Sequence, residues 1–238
     1  MKAKVILSEE NFPDENFRKE LASILKIKEG DEITEAMIQW TTVIDVSDRR
    51  IADLKGIEHF TALTALYCCE NNLTTVDVSK NIAMTILNCS NNQLSSLDLS
   101  KNIVLEELSC YDNQLTSLDV SNNTEMTGLD CSTNQLTALD VSQNTALKYL
   151  YCDRNQLTSL DVTECRSLTD LACYANQLTS LDVSKNTALT WLGCFNNQLE
   201  ELDITENSLL STVIVSTDTI VDRQRNFNKD LRISRMGR

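Results

Sequence analysis

The chain of 238 residues has only one proline, five glycines and one histidine. Scarce proline and glycine exclude proline-rich and glycine-rich linkers, so nothing divides the chain into separate parts. The single histidine, His59, excludes most nucleophile–base pairs of the usual kind. No apolar run approaches the roughly 20 residues that span a bilayer, which argues against membrane insertion.

Basic residues are also few: 21 lysines and arginines stand against 35 aspartates and glutamates, for a net charge of −14. Residues 63–209 hold 19 acidic and six basic side chains. Because binding to phosphates depends on clustered lysine and arginine, this acidic body argues against a nucleic-acid partner. Residues 222–238 form a basic C-terminal tail. We expect it to be frayed and solvated, with contact to an acidic partner or to the body as the alternative.

What the sequence does contain is an internal repeat of 21 residues, which holds for seven units over residues 63–209. The consensus is LxxLxCxxNQLTSLDVSxNTA. A truncated last repeat occupies residues 210–221, and a divergent 22-residue opening repeat covers residues 41–62. A fixed period of about 20 to 50 residues is typical of a solenoid or a propeller.

Apolar residues recur at unit positions 1, 4, 6, 11, 14 and 16. One coil cannot bury such a set without stacked neighbours. The alternation at positions 4 and 6 has the period of a short strand with one buried face. The pattern therefore predicts stacked coils with a parallel β-sheet along one side, and positions 3, 5 and 7 of each unit face solvent.

The motif LxxLxCxxNxL resembles the signature of leucine-rich repeats, with cysteine in one apolar slot, and LTSLDVS resembles the short bacterial variety. FPDENF (12–17), followed by IDVS (44–47) and LKGIEHFTALT (54–64), resembles the N-terminal cap of internalin-like proteins. The resemblance implies an α/β leucine-rich repeat solenoid, with a parallel β-sheet on its concave face and a small helical N-terminal cap at residues 1–40.

The resemblance also implies an exported or cell-surface location if a leader was removed before this numbering begins. The N-terminus, MKAKVILSEENF, has only a three-residue apolar run and does not have the form of a signal peptide. If Met1 is the native start, we expect a cytoplasmic protein.

Seven of the nine cysteines fall at the inward position 6 of successive units: Cys68, Cys89, Cys110, Cys131, Cys152, Cys173 and Cys194. In-register parallel strands point neighbouring Cβ atoms alongside one another, which does not suit a disulfide. A straight ladder also lacks the four converging ligands of a zinc site. We therefore predict reduced thiols that act as small buried hydrophobes. Cys69 should face solvent and be reactive, and Cys165 replaces an asparagine for no reason visible in the sequence.

Two polar columns accompany the cysteines. The asparagines are expected to bond backbone groups of adjacent coils, because an amide both donates and accepts; they are Asn71, Asn92, Asn113, Asn134, Asn155, Asn176 and Asn197. The aspartates either accept hydrogen bonds in a turn or collect cations; they are Asp77, Asp98, Asp119, Asp140, Asp161, Asp182 and Asp203. No glycine-rich loop accompanies them, which argues against calcium.

The N-terminal cap of the resembled family often carries a calcium-loop-like stretch. In LKIKEGDEITEAMI (25–38) only Glu29 and Gly30 match it, and Met37 stands at the final ligand position. We therefore predict no metal in this cap.

The spacing of Phe17, Leu21, Ile24 and Leu25 predicts an amphipathic helix that closes the end of the solenoid. Trp40, His59 and Phe60 are expected to be structural residues of the cap.

Every aromatic residue between 63 and 209 lies at an outward strand position, and the densest group is in the fifth to seventh units. Aromatics favour strands and support one another across a sheet. That preference does not explain why the buried positions hold none, whereas exposed tyrosine and tryptophan dominate binding hot spots. We therefore predict a concave ligand-binding face made of Tyr67, Tyr111, Asp130, Tyr149, Tyr151, Asp153, Asp170, Tyr174, Trp191 and Phe195.

An open concave sheet lacks the closed pocket that shifts catalytic pKa values, so we predict no enzyme, no cofactor and no catalytic residue. The predicted function is a non-catalytic scaffold that recognises a protein partner in bacterial adhesion or host interaction. The alternatives are a glycan-binding surface protein, because aromatics also stack on sugars, and a structural spacer. We expect a monomer or a weak homodimer.

Overall fold

The computed structural model describes residues 4–222 and 231–237. It contains two α-helices and a 3-10 turn at Ile57–His59. The helices are α1 (Glu15–Leu25) and α2 (Glu35–Trp40), and the strands in chain order are β1 (Val5–Ile6), β2 (Glu32–Ile33), β3 (Val43–Asp45), β4 (Ala65–Tyr67), β5 (Ile86–Asn88), β6 (Glu107–Ser109), β7 (Gly128–Asp130), β8 (Tyr149–Tyr151), β9 (Asp170–Ala172), β10 (Trp191–Gly193), β11 (Glu201–Asp203), β12 (Thr212–Ser216), β13 (Ile220–Asp222) and β14 (Arg232–Met236). None of these helices is long and apolar enough to cross a bilayer.

Ten strands form one parallel sheet in the order β14-β12-β10-β9-β8-β7-β6-β5-β4-β3. From β4 to β12 in this sheet, each strand residue pairs with the residue 21 positions further along the chain, so that Leu87 faces Leu108 and Leu108 faces Leu129. The two end pairs differ by one residue: Val43 faces Ala65, 22 positions on, and Thr212 faces Arg232, 20 positions on. Constant coil length imposes this register, because a slip of one residue would turn the buried leucines toward solvent. The predicted solenoid with a parallel sheet on one side is therefore the fold of this protein.

The inward positions form one continuous core. All seven cysteines of the ladder are buried and none of the nine cysteines is in a disulfide, which confirms the predicted free thiols. Burial raises the pKa of the Cys89 and Cys194 thiols to about 12. These protonated thiols pack as small apolar groups.

The asparagine column bonds adjacent coils as expected. The Asn155 amide donates to the carbonyls of Cys131, Cys152 and Asp153 at 3.0, 3.2 and 3.2 Å. Its Oδ1 accepts from the Leu136 amide at 2.9 Å. The same pattern repeats along the column, so backbone groups exposed where the chain leaves the strand are paired.

A second asparagine column, at unit position 19, was not singled out from the sequence. Asn123 and Asn144 are fully buried, and the Asn144 amide donates to the carbonyls of Val120 and Asn123 at 3.0 and 2.9 Å. Cys165 stands in this column. Its Sγ donates to the Val141 carbonyl at 3.5 Å, and so keeps one of the two bonds that asparagine makes.

The aspartate column is held in turns on the convex side. In each unit Oδ1 accepts from the backbone amide two residues ahead, as Asp140 does from Ser142 at 2.9 Å. That backbone hydrogen bond lowers the pKa of the Asp140 carboxyl below its usual range. The geometry follows the first of the two alternatives, hydrogen bonding within the turn.

The N-terminal cap is built around α1. Asp14 caps this helix by accepting from the Phe17 amide at 2.9 Å, and its second oxygen accepts from the Ala52 amide at 2.7 Å, which ties the cap to the first coil. Phe17 and Leu21 are buried, whereas Ile24 and Leu25 are only partly buried.

The three residues that were expected to be structural in the cap differ in how far they are buried. Phe60 is buried and His59 lies edge-on to Phe12, with ring centroids 5.8 Å apart. Trp40 does not pack in the cap, because its side chain is 85% exposed at the last position of α2. The expectation for Trp40 was therefore wrong.

Part of the basic tail is ordered, which corrects the expectation of a frayed terminus. β14 pairs in parallel with β12, so that Arg232 faces Thr212 and Met236 faces Ser216. Arg235 donates to the carbonyls of Thr217 and Thr219 at 2.9 Å each. Residues 223–230 and 238 of the predicted tail lie outside the described residues.

Candidate binding site on the concave sheet

In-register pairing aligns the outward strand positions in columns along the concave face. Tyr149, Asp170 and Trp191 occupy one column. Tyr151 and Ala172 lie in the next column, two residues further along their strands. Residues 21 apart in sequence are therefore side by side, and an aromatic residue in one coil can contact the equivalent residue of the next coil.

The aromatic side chains of this face were expected to be exposed, and the structure shows them half-buried. The Tyr174 and Phe195 rings stack with centroids 4.5 Å apart and planes at 10°. The Tyr149 and Tyr151 rings are tilted at 35° with centroids 5.6 Å apart. Ring pairing removes surface from water and holds the rings in one arrangement.

Two glycines make room for these rings. A Cβ atom on Gly128 would lie 1.9 Å from Cζ of Tyr149, and one on Gly193 would lie 2.6 Å from a ring carbon of Trp191. The Tyr149 and Trp191 rings therefore pack directly against the glycines. Ala172, which is 4% exposed, also has a small side chain at the sheet surface. Small residues between large ones form a depression in the sheet surface.

The depression has a volume of about 710 Å³. Of the predicted site residues it brings together Tyr111, Asp130, Tyr151, Asp153, Asp170, Tyr174 and Trp191. Tyr149 and Phe195 lie outside its lining but contact it through their ring partners. Tyr67, in the first of the seven units, is not part of it.

The predicted set of site residues lacks five lining residues: Asp112, Ser132, Thr133, Arg154 and Ala172. Ser132 and Ala172 occupy outward positions, so their place beside aromatic neighbours could have been read from the columns. Asp112 and Thr133 lie at unit position 8, where the chain has left the strand and the alternation of faces no longer applies.

Position 8 adopts a left-handed backbone in every unit, with φ of 53° at Asp112, 52° at Thr133 and 53° at Arg154. This conformation costs a residue with a side chain about 1–2 kcal/mol. It is unusual for β-branched Thr133. The asparagine that follows bonds the turn to its neighbours and offsets that cost. The turn directs these three side chains to the rim of the depression.

Two carboxylates of the depression have reduced access to water: Asp130 is partly buried and Asp153 is buried. Asp130 accepts from the Ser132 hydroxyl at 2.6 Å, and Asp153 is only 6% exposed. Burial raises the pKa of both carboxyls, and the Asp130 charge adds to the effect at Asp153. Burial together with a hydrogen bond to Asp153 raises the pKa of the Tyr174 hydroxyl to about 12.

No histidine lines the depression in the described part of the chain. His59 lies in the cap beside Phe12 and far from the depression in the repeat series. Among the described residues, no group of three or more histidine, cysteine, aspartate or glutamate side chains is placed to hold a metal ion. The lining of the depression presents mainly aromatic surface, negative charge and hydrogen-bond acceptors to a ligand.

Comparisons with known proteins place this geometry in context. No protein-family profile matches the chain. A segment of 70 residues is 43% identical to internalin J of Listeria monocytogenes serotype 4b, strain F2365, and spans 29% of this chain and 8% of that relative. The chain thus matches only a small part of that protein.

Two solved structures resemble the whole solenoid. The functional domain of InlJ from Listeria monocytogenes, which includes a cysteine ladder, is 33% identical with a TM-score of 0.61; the likeness covers 98% of this chain and 61% of that domain. Internalin C2 from strain 4b F2365 has a TM-score of 0.82 at 19% identity, over 91% of this chain and 99% of that one, and shows the fold alone.

The stacked coils, the parallel sheet and these likenesses define a leucine-rich repeat protein. Within that class the chain is internalin-like: a segment is similar in sequence to internalin J of Listeria monocytogenes, and the functional domain of InlJ also includes a cysteine ladder. The relatives found are internalins and leucine-rich repeat proteins, and none of them indicates a catalytic family.

Proposed function

We propose that this protein is a non-catalytic scaffold that binds a protein partner through the concave surface formed by β6 to β10. The observation that supports this most is the depression, whose rings, glycines and carboxylates converge on one face while the buried positions of residues 63–209 hold no aromatic residue. Rigid aromatic side chains beside poorly solvated polar groups are typical of the centre of a binding surface.

A purely structural role for the rings explains less. Ring pairs stabilise a sheet, but stability alone does not require Asp153 to be held at 6% exposure without an ion pair among the described residues. Asp153 accepts a hydrogen bond from the Tyr174 hydroxyl but has no salt bridge among the described residues, and taking a carboxylate out of water without a cation costs stability. Its cost is offset when a ligand supplies the complementary group.

The internalin-like fold supports a role in adhesion or host contact at a bacterial surface. We therefore also propose that the protein acts at the bacterial surface. A glycan is the second candidate ligand, because the Trp191 ring lines the depression and has no stacking partner among the described residues. Aromatic rings of this kind can stack on sugar faces.

The experiment compares the wild type with a Tyr149→Ala, Tyr151→Ala, Trp191→Ala triple variant. Host and bacterial surface proteins are tested in a pull-down and sugars on a glycan array. The matched control removes three exposed apolar side chains elsewhere, Ile82→Ala, Ile103→Ala and Leu209→Ala, which are 57–60% exposed. Urea unfolding checks that each variant is folded.

The proposal predicts that a ligand bound by the wild type and by the control is lost by the folded concave variant. A protein ligand supports the proposal, whereas a ligand found only on the array assigns the site to carbohydrate. Equal binding by all three proteins would show that the concave rings are scaffold.

A further inference from the structure

The depression has an imbalance of charge that points to the chemistry of its ligand. Four carboxylates and one cation line it; they are Asp112, Asp130, Asp153, Asp170 and Arg154. No ion pair joins Asp130, Asp153 or Asp170 to a cation within the described part of the chain. Carboxylates taken partly out of water without a cationic partner favour the approach of a positive group.

The chain itself shows how a cation is held here. The Arg154 guanidinium lies 5.9 Å from the centroid of the Tyr174 ring. The Tyr174 hydroxyl is hydrogen-bonded to the Asp153 carboxylate. A cation within about 6 Å of an aromatic face is attracted by the ring quadrupole. Tyr174 is also stacked on Phe195, so this ring is already occupied. Trp191 also lines the depression, and its ring has no aromatic partner among the described residues.

We propose that the depression accepts a lysine or arginine side chain of the protein partner, held between the Trp191 ring and the carboxylates of Asp130, Asp153 and Asp170. The inference rests on the proposed function and names the partner chemistry of the same surface. A cationic head bonded to carboxylates with its apolar stem on an aromatic ring satisfies both kinds of group in the lining. Asp130, Asp153 and Asp170 accept hydrogen bonds from the hydroxyls of Ser132, Tyr174 and Thr169. The aromatic contact alone would also suit an uncharged ligand, but these carboxylates would then have no cationic partner.

The test uses Trp191 as a fluorescent reporter in a Trp40→Phe background, because Trp40 is 85% exposed and its replacement removes the second tryptophan signal. The probes are nonapeptides of glycine and serine with one central lysine, arginine, norleucine or glutamate. Lysine and arginine peptides should change the Trp191 emission and bind at least about tenfold more tightly than the norleucine peptide, a difference of about 1.4 kcal/mol.

Charge is tested with two double variants that each remove two negative charges. Asp130→Asn, Asp153→Asn should weaken binding of the lysine peptide by about tenfold or more. The control, Asp119→Asn, Asp140→Asn, changes convex carboxylates and should leave binding within about twofold. Equal losses in the two variants, or equal binding of norleucine and lysine peptides, would overturn the inference.

The same variants separate this inference from the proposed function. Partner binding that is lost with the aromatic triple variant but unchanged in Asp130→Asn, Asp153→Asn overturns the cationic site alone. Partner binding unchanged in both overturns the proposed function. Loss in both supports the two proposals together.

Discussion

The substitution Asn155→Ala tests how the asparagine column holds the coils together. It removes four hydrogen bonds: three that the amide donates to the carbonyls of Cys131, Cys152 and Asp153, and one that Oδ1 accepts from Leu136. Four independent losses at about 1–1.5 kcal/mol each would cost about 4–6 kcal/mol. The structure supports a smaller figure.

Each of the three carbonyls keeps a second donor. The Cys131 carbonyl still accepts from Asn134 at 3.2 Å and that of Cys152 from Asn176 at 3.0 Å. The Asp153 carbonyl still accepts from the Thr133 amide at 2.9 Å. Only the buried N–H of Leu136 is left without a partner, and one such group costs about 1–3 kcal/mol.

We therefore expect Asn155→Ala to lower the free energy of unfolding by about 1–3 kcal/mol, measured by urea denaturation followed by circular dichroism. Asn71→Ala serves as comparison, because Oδ1 of Asn71 accepts from two amides, Arg49 at 3.1 Å and Ile51 at 2.9 Å, and its loss should cost more. A loss of 4 kcal/mol or more for Asn155→Ala, or a smaller cost at Asn71, would refute this accounting.

Three further results follow from the structure. Native protein should expose one thiol to a thiol reagent, that of half-buried Cys69, and Cys69→Ser should abolish the fast reaction. Because burial raises the folded-state pKa of Asp130, its ionised form destabilises the fold at neutral pH. This penalty decreases as pH falls through the raised folded-state pKa and is fully relieved below the unfolded value of about 3.9. Asp130→Asn should therefore raise the urea midpoint at pH 7 and leave it unchanged near pH 3. Gly128→Ala should displace the Tyr149 ring and weaken partner binding while the fold persists, as seen by unaltered circular dichroism.

The fold was predictable because the 21-residue period of the sequence determines it. With 21 residues in each coil, the alternation at positions 4 and 6 determines strand, register and core, and Leu87, Leu108 and Leu129 align accordingly. The cysteine ladder follows from the same rule. The left-handed turn at position 8 could not be predicted from the sequence, because the usual signal for such a turn is a glycine and residues such as Thr133 and Arg154 stand there instead. The asparagine that follows stabilises this turn.

Seven of the ten residues that the sequence suggested for a binding face line the depression, but the shape of that surface was not predictable. Tyr174 and Phe195 are one coil apart in the same column, so their stacking could have been inferred, yet the half-burial that results depends on ring orientation. Trp40 shows the opposite case. An apolar ring in the cap was expected to be buried, but its position at the end of α2 leaves it in solvent. Strand β14 joins the sheet through backbone hydrogen bonds to β12, and the basic composition of the tail does not predict this pairing.

The most direct test of a partner on the concave face is site-specific photo-crosslinking of the bound complex. A photoreactive phenylalanine analogue at Tyr151 would lie in the depression, and the same analogue at exposed Gln143 would lie in a convex turn. We predict a covalent adduct with the partner from position 151 and none from position 143. An adduct from position 143 and none from position 151 would contradict a binding site on the concave sheet.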